Sequence, residues 1–226
     1  MIVLVAHGTR APEGAMVAEE LARRVRAEAG LPVRVAYADV RQPDVTNVLN
    51  SVRGHQAVVI PAFLAAGYHV RTDIPAQIAA SGHPGVVLAE PFGPAPELLE
   101  VVRDRLEWAG RRPGDAVVLA AAGSSDPRAL AEVRTAADAL SRELGTGVRV
   151  GYAATARPSV ADAVSLARGR GRRVAVASWL LAPGLFQRKV ADSGADVVAE
   201  PLGVHPAVVD LVVRRYHQAL QQMVAA

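Results

Sequence analysis

Three residues of this sequence could act together chemically, and each lies in a segment that follows a run of apolar residues. His7 follows Ile2 to Ala6 in the stretch VAHGTR, Asp39 follows the run at 33–38, and His69 lies in AFLAAGYHVRTDIP, 62–75, after the run at 57–61. Two neutral imidazoles and a carboxylate suit a divalent first-row ion such as Fe, Co, Ni or Zn. Imidazole also exchanges protons near neutral pH, so the same histidines can act as proton acceptors. Neither histidine belongs to a local ligand motif such as H-E-x-x-H, so a metal site requires the fold to bring them together. Each residue also has a bland reading. His7 could satisfy backbone groups in a turn, with Gly8 supplying the permissive conformation. His69 could sit in the first turn of a helix with Asp73 as its partner, and Asp39 could pair with Arg41. His55, His83, His205 and His217 lie in turn-like or polar surface contexts.

The elements that must position these residues follow from periodicity. Short β-branched runs alternate with longer segments of helical period, the pattern of a βαβα chain with a parallel sheet. Strands are expected at 2–6, 33–38, 57–61 and 85–89, with helices near 14–29, 43–53, 70–80 and 95–108. A second set follows, with strands near 116–121, 147–152, 173–178 and 196–199 and helices near 128–143, 158–168, 186–192 and 205–222. In open parallel sheets ligands bind beyond the carboxyl ends of the strands. His7, Asp39 and His69 all fall in such loops and would open on one rim.

The two sets are copies of one plan. VRVAYA at 33–38 returns as VRVGYA at 148–153, and LAEPFGPAP at 88–96 returns as VAEPLGVHP at 198–206. Pro43 and Pro158 lie equally far behind Tyr37 and Tyr152. The order is preserved at offsets of 110 to 117 residues, which marks an internal duplication. The expected architecture is α/β, two similar doubly wound parallel-sheet lobes facing a cleft, at residues 1–110 and 115–226, with GRRPGD, 110–115, as the linker. The first lobe carries the site. His7 aligns with Ala122, His69 with Phe186 and Asp39 with Ala154, so the scaffold is duplicated and the polar constellation is not. A function carried by one lobe explains this better than a folding role in both.

Composition narrows the chemistry. The chain has 226 residues, 51% of them hydrophobic, enough for a sizeable core. It has no cysteine, which excludes disulfides, iron–sulfur clusters and thiolate catalysis and leaves His, Asp and Glu as metal ligands. Net charge is +3, carried by scattered arginines with Lys189 the single lysine, a pattern that suits a small acidic ligand better than nucleic acid. No apolar run approaches the ~20 residues needed to cross a bilayer. The start of the chain lacks the pattern of a secretory signal, so a cytoplasmic protein is expected. No Walker A loop or G-x-G-x-x-G fingerprint is present, which argues against nucleotide binding. A histidine phosphatase wants arginine directly before its histidine, and here that residue is Ala6.

VAHGTR, YADVRQP and PAFLAAGYHVRTDIP, in that order, resemble the sirohydrochlorin chelatases, the cobalt- and iron-inserting enzymes of the cobalamin and siroheme pathways, within the class II chelatases. The resemblance covers the whole chain in two-lobe form. It implies ATP-independent insertion of a divalent metal into sirohydrochlorin, a lyase activity with the metal (Co2+, Fe2+ or Ni2+) as substrate and no organic cofactor. His7 maps to the metal ligand and proton acceptor of the first motif, and His69 to the second ligand. Asp39 stands where the family often has glutamate, four residues before Pro43 and one methylene shorter. Arg10, Arg41 and Arg71 beside these residues are the expected contacts for the carboxylates of sirohydrochlorin. Leu64, Ala65, Ala66 and Gly67 would let backbone approach a flat macrocycle, with the Tyr68 ring as a wall. The implied partner is a small tetrapyrrole, with neither nucleic acid nor membrane, and the oligomeric state is left open, a monomer included. A non-catalytic tetrapyrrole or metal carrier would use the same pocket.

Overall fold

The apolar runs form strands because helices cover both of their faces. The structure, a computed structural model, describes residues 1–9, 11–169 and 171–225. One sheet contains β1 (Ile2–Ala6), β2 (Val33–Tyr37), β3 (Ala57–Pro61) and β4 (Val86–Leu88). The other contains β5 (Ala116–Ala121), β6 (Val148–Tyr152), β7 (Val174–Trp179) and β8 (Val197–Val198). All pairings are parallel, in the orders β2-β1-β3-β4 and β6-β5-β7-β8. The central strands β1 and β5 are buried at every residue, as strands of a doubly covered parallel sheet must be. The duplicated, doubly wound α/β architecture is the one the sequence leads one to expect.

The helices are α1 (Pro12–Ala29), α2 (Val45–Ser51), α3 (Ile74–Ser81), α4 (Pro96–Trp108), α5 (Pro127–Leu144), α6 (Val160–Arg168), α7 (Leu185–Ala191) and α8 (Pro206–Ala225). A π-helical turn, His69–Asp73, leads into α3. Capping side chains fix where the helices after β2 and β6 begin. Asp44 accepts the Asn47 N–H at 2.7 Å, and Ser159 forms a reciprocal capping box with Asp162. One face of the first sheet packs Val3, Val5 and Val59 against Val48, Leu49 and Ile74. The second sheet repeats the arrangement with Val118, Ala120 and Val176 against Val160, Ala163 and Val164.

The expected boundary at 110–115 is not where the compact units divide. One unit comprises Met1–Phe92 with Pro206–Ala226, and the other Gly93–His205. Helix α4 packs on β7 and α5, while α8 packs on α1, β3 and β4, so each repeat surrenders its last helix to the other's sheet. GRRPGD is a structured turn within the second unit. The buried Asp115 carboxylate accepts the Arg112 N–H at 2.8 Å and the Arg173 Nη1–H at 3.1 Å, and these bonds hold the segment in place of a free linker. No helix among the described residues is long and apolar enough to cross a membrane.

In each sheet the first strand is flanked by its second on one side and its third on the other. The direction of winding therefore reverses between β1 and β3, where the ligand crevice of such a sheet opens. His7 follows β1 and His69 follows β3.

Candidate functional site

Backbone hydrogen bonds carry the β1–β2 ladder past the strand ends and set His7 on the rim. The Ala38 N–H donates to the Ala6 carbonyl at 2.9 Å, and the Asp39 N–H donates to that of His7 at 3.0 Å. Gly8 then turns the chain at φ +93°, and a Cβ there would stand 1.9 Å from the Asp39 carbonyl oxygen. Only glycine meets both the backbone angle and the close approach. Arg41 secures the turn from the far side, its Nη1–H donating to the Thr9 carbonyl at 2.9 Å.

The second histidine is brought in by the segment after β3. The Ala62 N–H donates to the Val5 carbonyl at 2.8 Å, which ties the start of that segment to β1. The chain then crosses Phe63 to Tyr68 and enters the π-helical turn that begins at His69. The centroids of the His7 and His69 rings are 4.6 Å apart, edge to face. For two imidazoles sharing one ion, with N–metal distances of about 2.1 Å, the ring centroids stand about 5 Å apart. The spacing of this pair is compatible with two ligands to one cation, and it is also that of an ordinary edge-to-face ring contact.

Hydrogen bonds also select which ring nitrogen each histidine offers. The His7 Nδ1 lies 3.0 Å from the Gly8 carbonyl oxygen, and the His69 Nδ1 lies 2.5 Å from Asp73 Oδ2. Both oxygens are acceptors for a ring proton, so Nδ1 carries the hydrogen and Nε2 the lone pair in each neutral ring. No hydrogen bond to either Nε2 occurs among the described residues. His83 differs on this point. The Gly85 N–H donates to its Nδ1 at 3.1 Å, and its Nε2 lies 3.2 Å from the Val52 carbonyl, so both ring nitrogens are consumed by backbone.

The other expected site residues divide into those near the pair and those apart from it. No three His, Cys, Asp or Glu residues are grouped to hold an ion among the described residues, so the pair stands without Asp39. The exposed Asp39 carboxylate accepts the Val40 N–H at 2.7 Å and lines, with Tyr37, Arg41, Gln42 and Gln77, a neighbouring depression of about 300 Å³. Arg41 also lies over the Tyr37 ring at 5.8 Å. Burial, and then Glu19, push the Tyr37 phenol above its ordinary value, with Arg41 opposing. The exposed Arg71 donates its Nε–H to the Ala66 carbonyl at 2.7 Å. Ala66 is buried, Leu64, Ala65 and Gly67 are half-buried, and Tyr68 is 63% exposed with its ring 6.1 Å from that of His69. Arg10 lies outside the described residues.

Two contributors were missed in the sequence. Phe63 lies 5.8 Å from the His7 ring and 6.2 Å from that of His69, a shared apolar wall. Its position two residues past β3 was the available signal. Gln77 accepts the Val45 N–H at 3.0 Å and donates to the Ala38 carbonyl at 3.1 Å, tying α3 to the β2 loop. Nothing in its local sequence indicates this.

The second unit repeats the cradle without the groups. Val58 lies opposite Ile2 in one sheet and Ala175 opposite Val117 in the other. In that register His69 corresponds to Phe186, and its partner Asp73 to the fully buried Val190.

A family model described as CbiX matches residues 1–109 and again 116–219. The sirohydrochlorin cobaltochelatase of Methanothermobacter thermautotrophicus is 31% identical over 130 residues, covering 48% of this chain and 91% of that protein. The chloroplastic sirohydrochlorin ferrochelatase of Arabidopsis thaliana is 32% identical over 114 residues, covering 47% of this chain and 51% of that protein. Among solved structures, SirB from Bacillus subtilis with Fe3+ superposes with a TM-score of 0.82 at 22% identity, over 96% of this chain and 94% of that one, a likeness of fold.

Proposed function

The chain belongs to the CbiX family, and on that premise we propose that it is a chelatase that inserts a divalent first-row metal, Co2+ or Fe2+, into sirohydrochlorin. The observation that carries this proposal is the imidazole pair at the β1/β3 switch point, each Nε2 left open, in one unit and not in the other. Two neutral nitrogen donors are too few to enclose an ion. Structural sites close their shells with about four protein ligands, whereas a transferred ion must keep positions open. A metal held by His7 and His69 retains room for water on entry and for macrocycle nitrogens on exit.

Insertion of M2+ releases two pyrrole N–H protons, so the macrocycle changes from a neutral to a dianionic ligand and the overall charge balances. His7 and His69 serve as metal ligands that replace part of the hydration shell, and as ring freed of metal each imidazole can take a proton. Asp39, on the neighbouring depression, relays protons or contacts the ion through water. Arg41 and Arg71, on the loops flanking the pair, together with Arg10, answer the substrate's carboxylates. Leu64 to Gly67 offer low relief to a flat ring, and Tyr68 and Phe63 supply aromatic surface beside it. No step calls for a nucleotide or an organic cofactor.

The test is a single-turnover assay with metal-free sirohydrochlorin and Co2+ or Fe2+, followed by the absorption spectrum with and without the protein. Acceleration by the protein is the expected result. Binding of both ligands with insertion at the uncatalysed rate would make the protein a carrier instead.

A further inference from the structure

We propose that Asp73 is a positioning residue of the insertion site: by accepting the Nδ1–H of His69 it holds that imidazole in the tautomer whose Nε2 lone pair is open to metal. The role rests on the chelatase function proposed above and adds to it a residue that does not itself touch the ion.

The contact is short, 2.5 Å from His69 Nδ1 to Asp73 Oδ2, with both side chains 26% exposed. A histidine carries its proton on one ring nitrogen and its lone pair on the other, so a carboxylate at Nδ1 decides the state of Nε2. His83 shows the opposite outcome in the same unit. A backbone N–H at its Nδ1 leaves the proton on Nε2, where no cation can bind. Carboxylates that accept the second ring N–H of a metal-ligating histidine orient the ring and raise its basicity.

The backbone is adapted to the pair. The Ile74 N–H donates to the His69 carbonyl, five residues back, so the turn from His69 to Asp73 is wider than an α-helical one. Single π-turns of this kind are frequent at functional sites. The corresponding segment of the second unit is the ordinary helix α7. There the histidine is Phe186 and the carboxylate is Val190, buried completely. A carboxylate serving only the helix would have no cause to vanish together with the ring it touches.

The test uses the full chain with Asp73→Ala and Asp73→Glu, and three measurements. Long-range 15N–1H correlations on the neutral His69 ring report the tautomer, titration calorimetry with Co2+ alone reports metal affinity, and single-turnover assays report insertion. In the wild type the proton is expected on Nδ1. Asp73→Ala should lose that preference, weaken Co2+ binding about 10- to 100-fold and slow insertion to match, with the sirohydrochlorin concentration that half-saturates the single-turnover rate unchanged. Asp73→Glu should recover the tautomer and part of the rate. An Nε2–H ring in the wild type would overturn the proposal even if no variant folded. So would an Asp73→Ala protein with wild-type tautomer and Co2+ affinity. If the wild type binds Co2+ and inserts none, the chelatase function fails, while the tautomer and the Co2+ affinity still decide the role of Asp73.

Discussion

The turn after β1 and the turn after β5 share nearly the same backbone and different side chains. Gly8 and Gly123 have φ of +93° and +97°, and a Cβ on either would lie 1.9 Å from a carbonyl oxygen, that of Asp39 or Ala154. The Asp39 N–H reaches the His7 carbonyl at 3.0 Å, and the Ala154 N–H reaches that of Ala122 at 2.9 Å. Even the left-handed residues recur, Val40 at φ +53° and Thr155 at +61°. A β-branched residue in that region costs about 1–3 kcal/mol, so both turns are over-determined by their surroundings. The second turn forms with alanine at both polar positions. Folding therefore does not need His7 or Asp39, and their presence in the first turn answers to something besides folding.

The largest effect that would sharpen this contrast is on activity. His7→Ala and His69→Ala, which make the first unit resemble the second, should each slow metal insertion by about a thousandfold or to the uncatalysed rate. Because the His7 ring is exposed, His7→Ala should move the melting temperature by less than about 2 °C, whereas His69→Ala, which removes a ring only 26% exposed and bonded to Asp73, should lower it by about 2–4 °C. A large loss of stability would instead assign the histidines to the fold. Next come the glycines. Gly8→Ala and Gly123→Ala should each destabilise by about 2–4 kcal/mol, through the clash and the positive φ they share, measured by urea denaturation. Gly8→Ala should also impair insertion at temperatures where it stays folded, whereas Gly123→Ala should not. Equal loss of activity in both would break the division of labour between the units. The smallest effect concerns the helix caps that both units keep. Asp44→Ala and Ser159→Ala should cost about 1 kcal/mol each, with insertion by the folded protein little changed.

Much of the fold was legible because parallel strands buried on both faces leave continuous apolar runs. The residues 2–6, 57–61 and 116–121 became strands with the expected bounds. The meeting of His7 and His69 was legible for a similar reason. His7 is just past β1 and so on the ligand rim, the segment after the adjacent β3 opens on the same rim, and the π-turn within it sets His69 beside His7. The destination of α4 and α8 was not. An amphipathic helix declares that it has an apolar face without naming the sheet that covers it, and both helices pack on the sheet of the other repeat. GRRPGD does lie between the two family-model matches, but that its Asp115 is tied to Arg173, far away in sequence, could not be read from the local sequence. The orientation of the Asp39 carboxylate was likewise hidden. It depends on a carboxylate choosing the adjacent Val40 N–H, a contact decided by the turn and not by spacing.

The return of α8 to the first unit bears on how the protein is made. Residues 93–205 form one uninterrupted unit, whereas the unit that holds His7 and His69 needs both Met1–Phe92 and Pro206–Ala226. On the ribosome the N-terminal strands emerge first, yet the helix that covers β3 and β4 is synthesised only after the whole second unit. The unit that holds both histidines is begun first and completed last, with its sheet waiting on a helix about a hundred residues behind it.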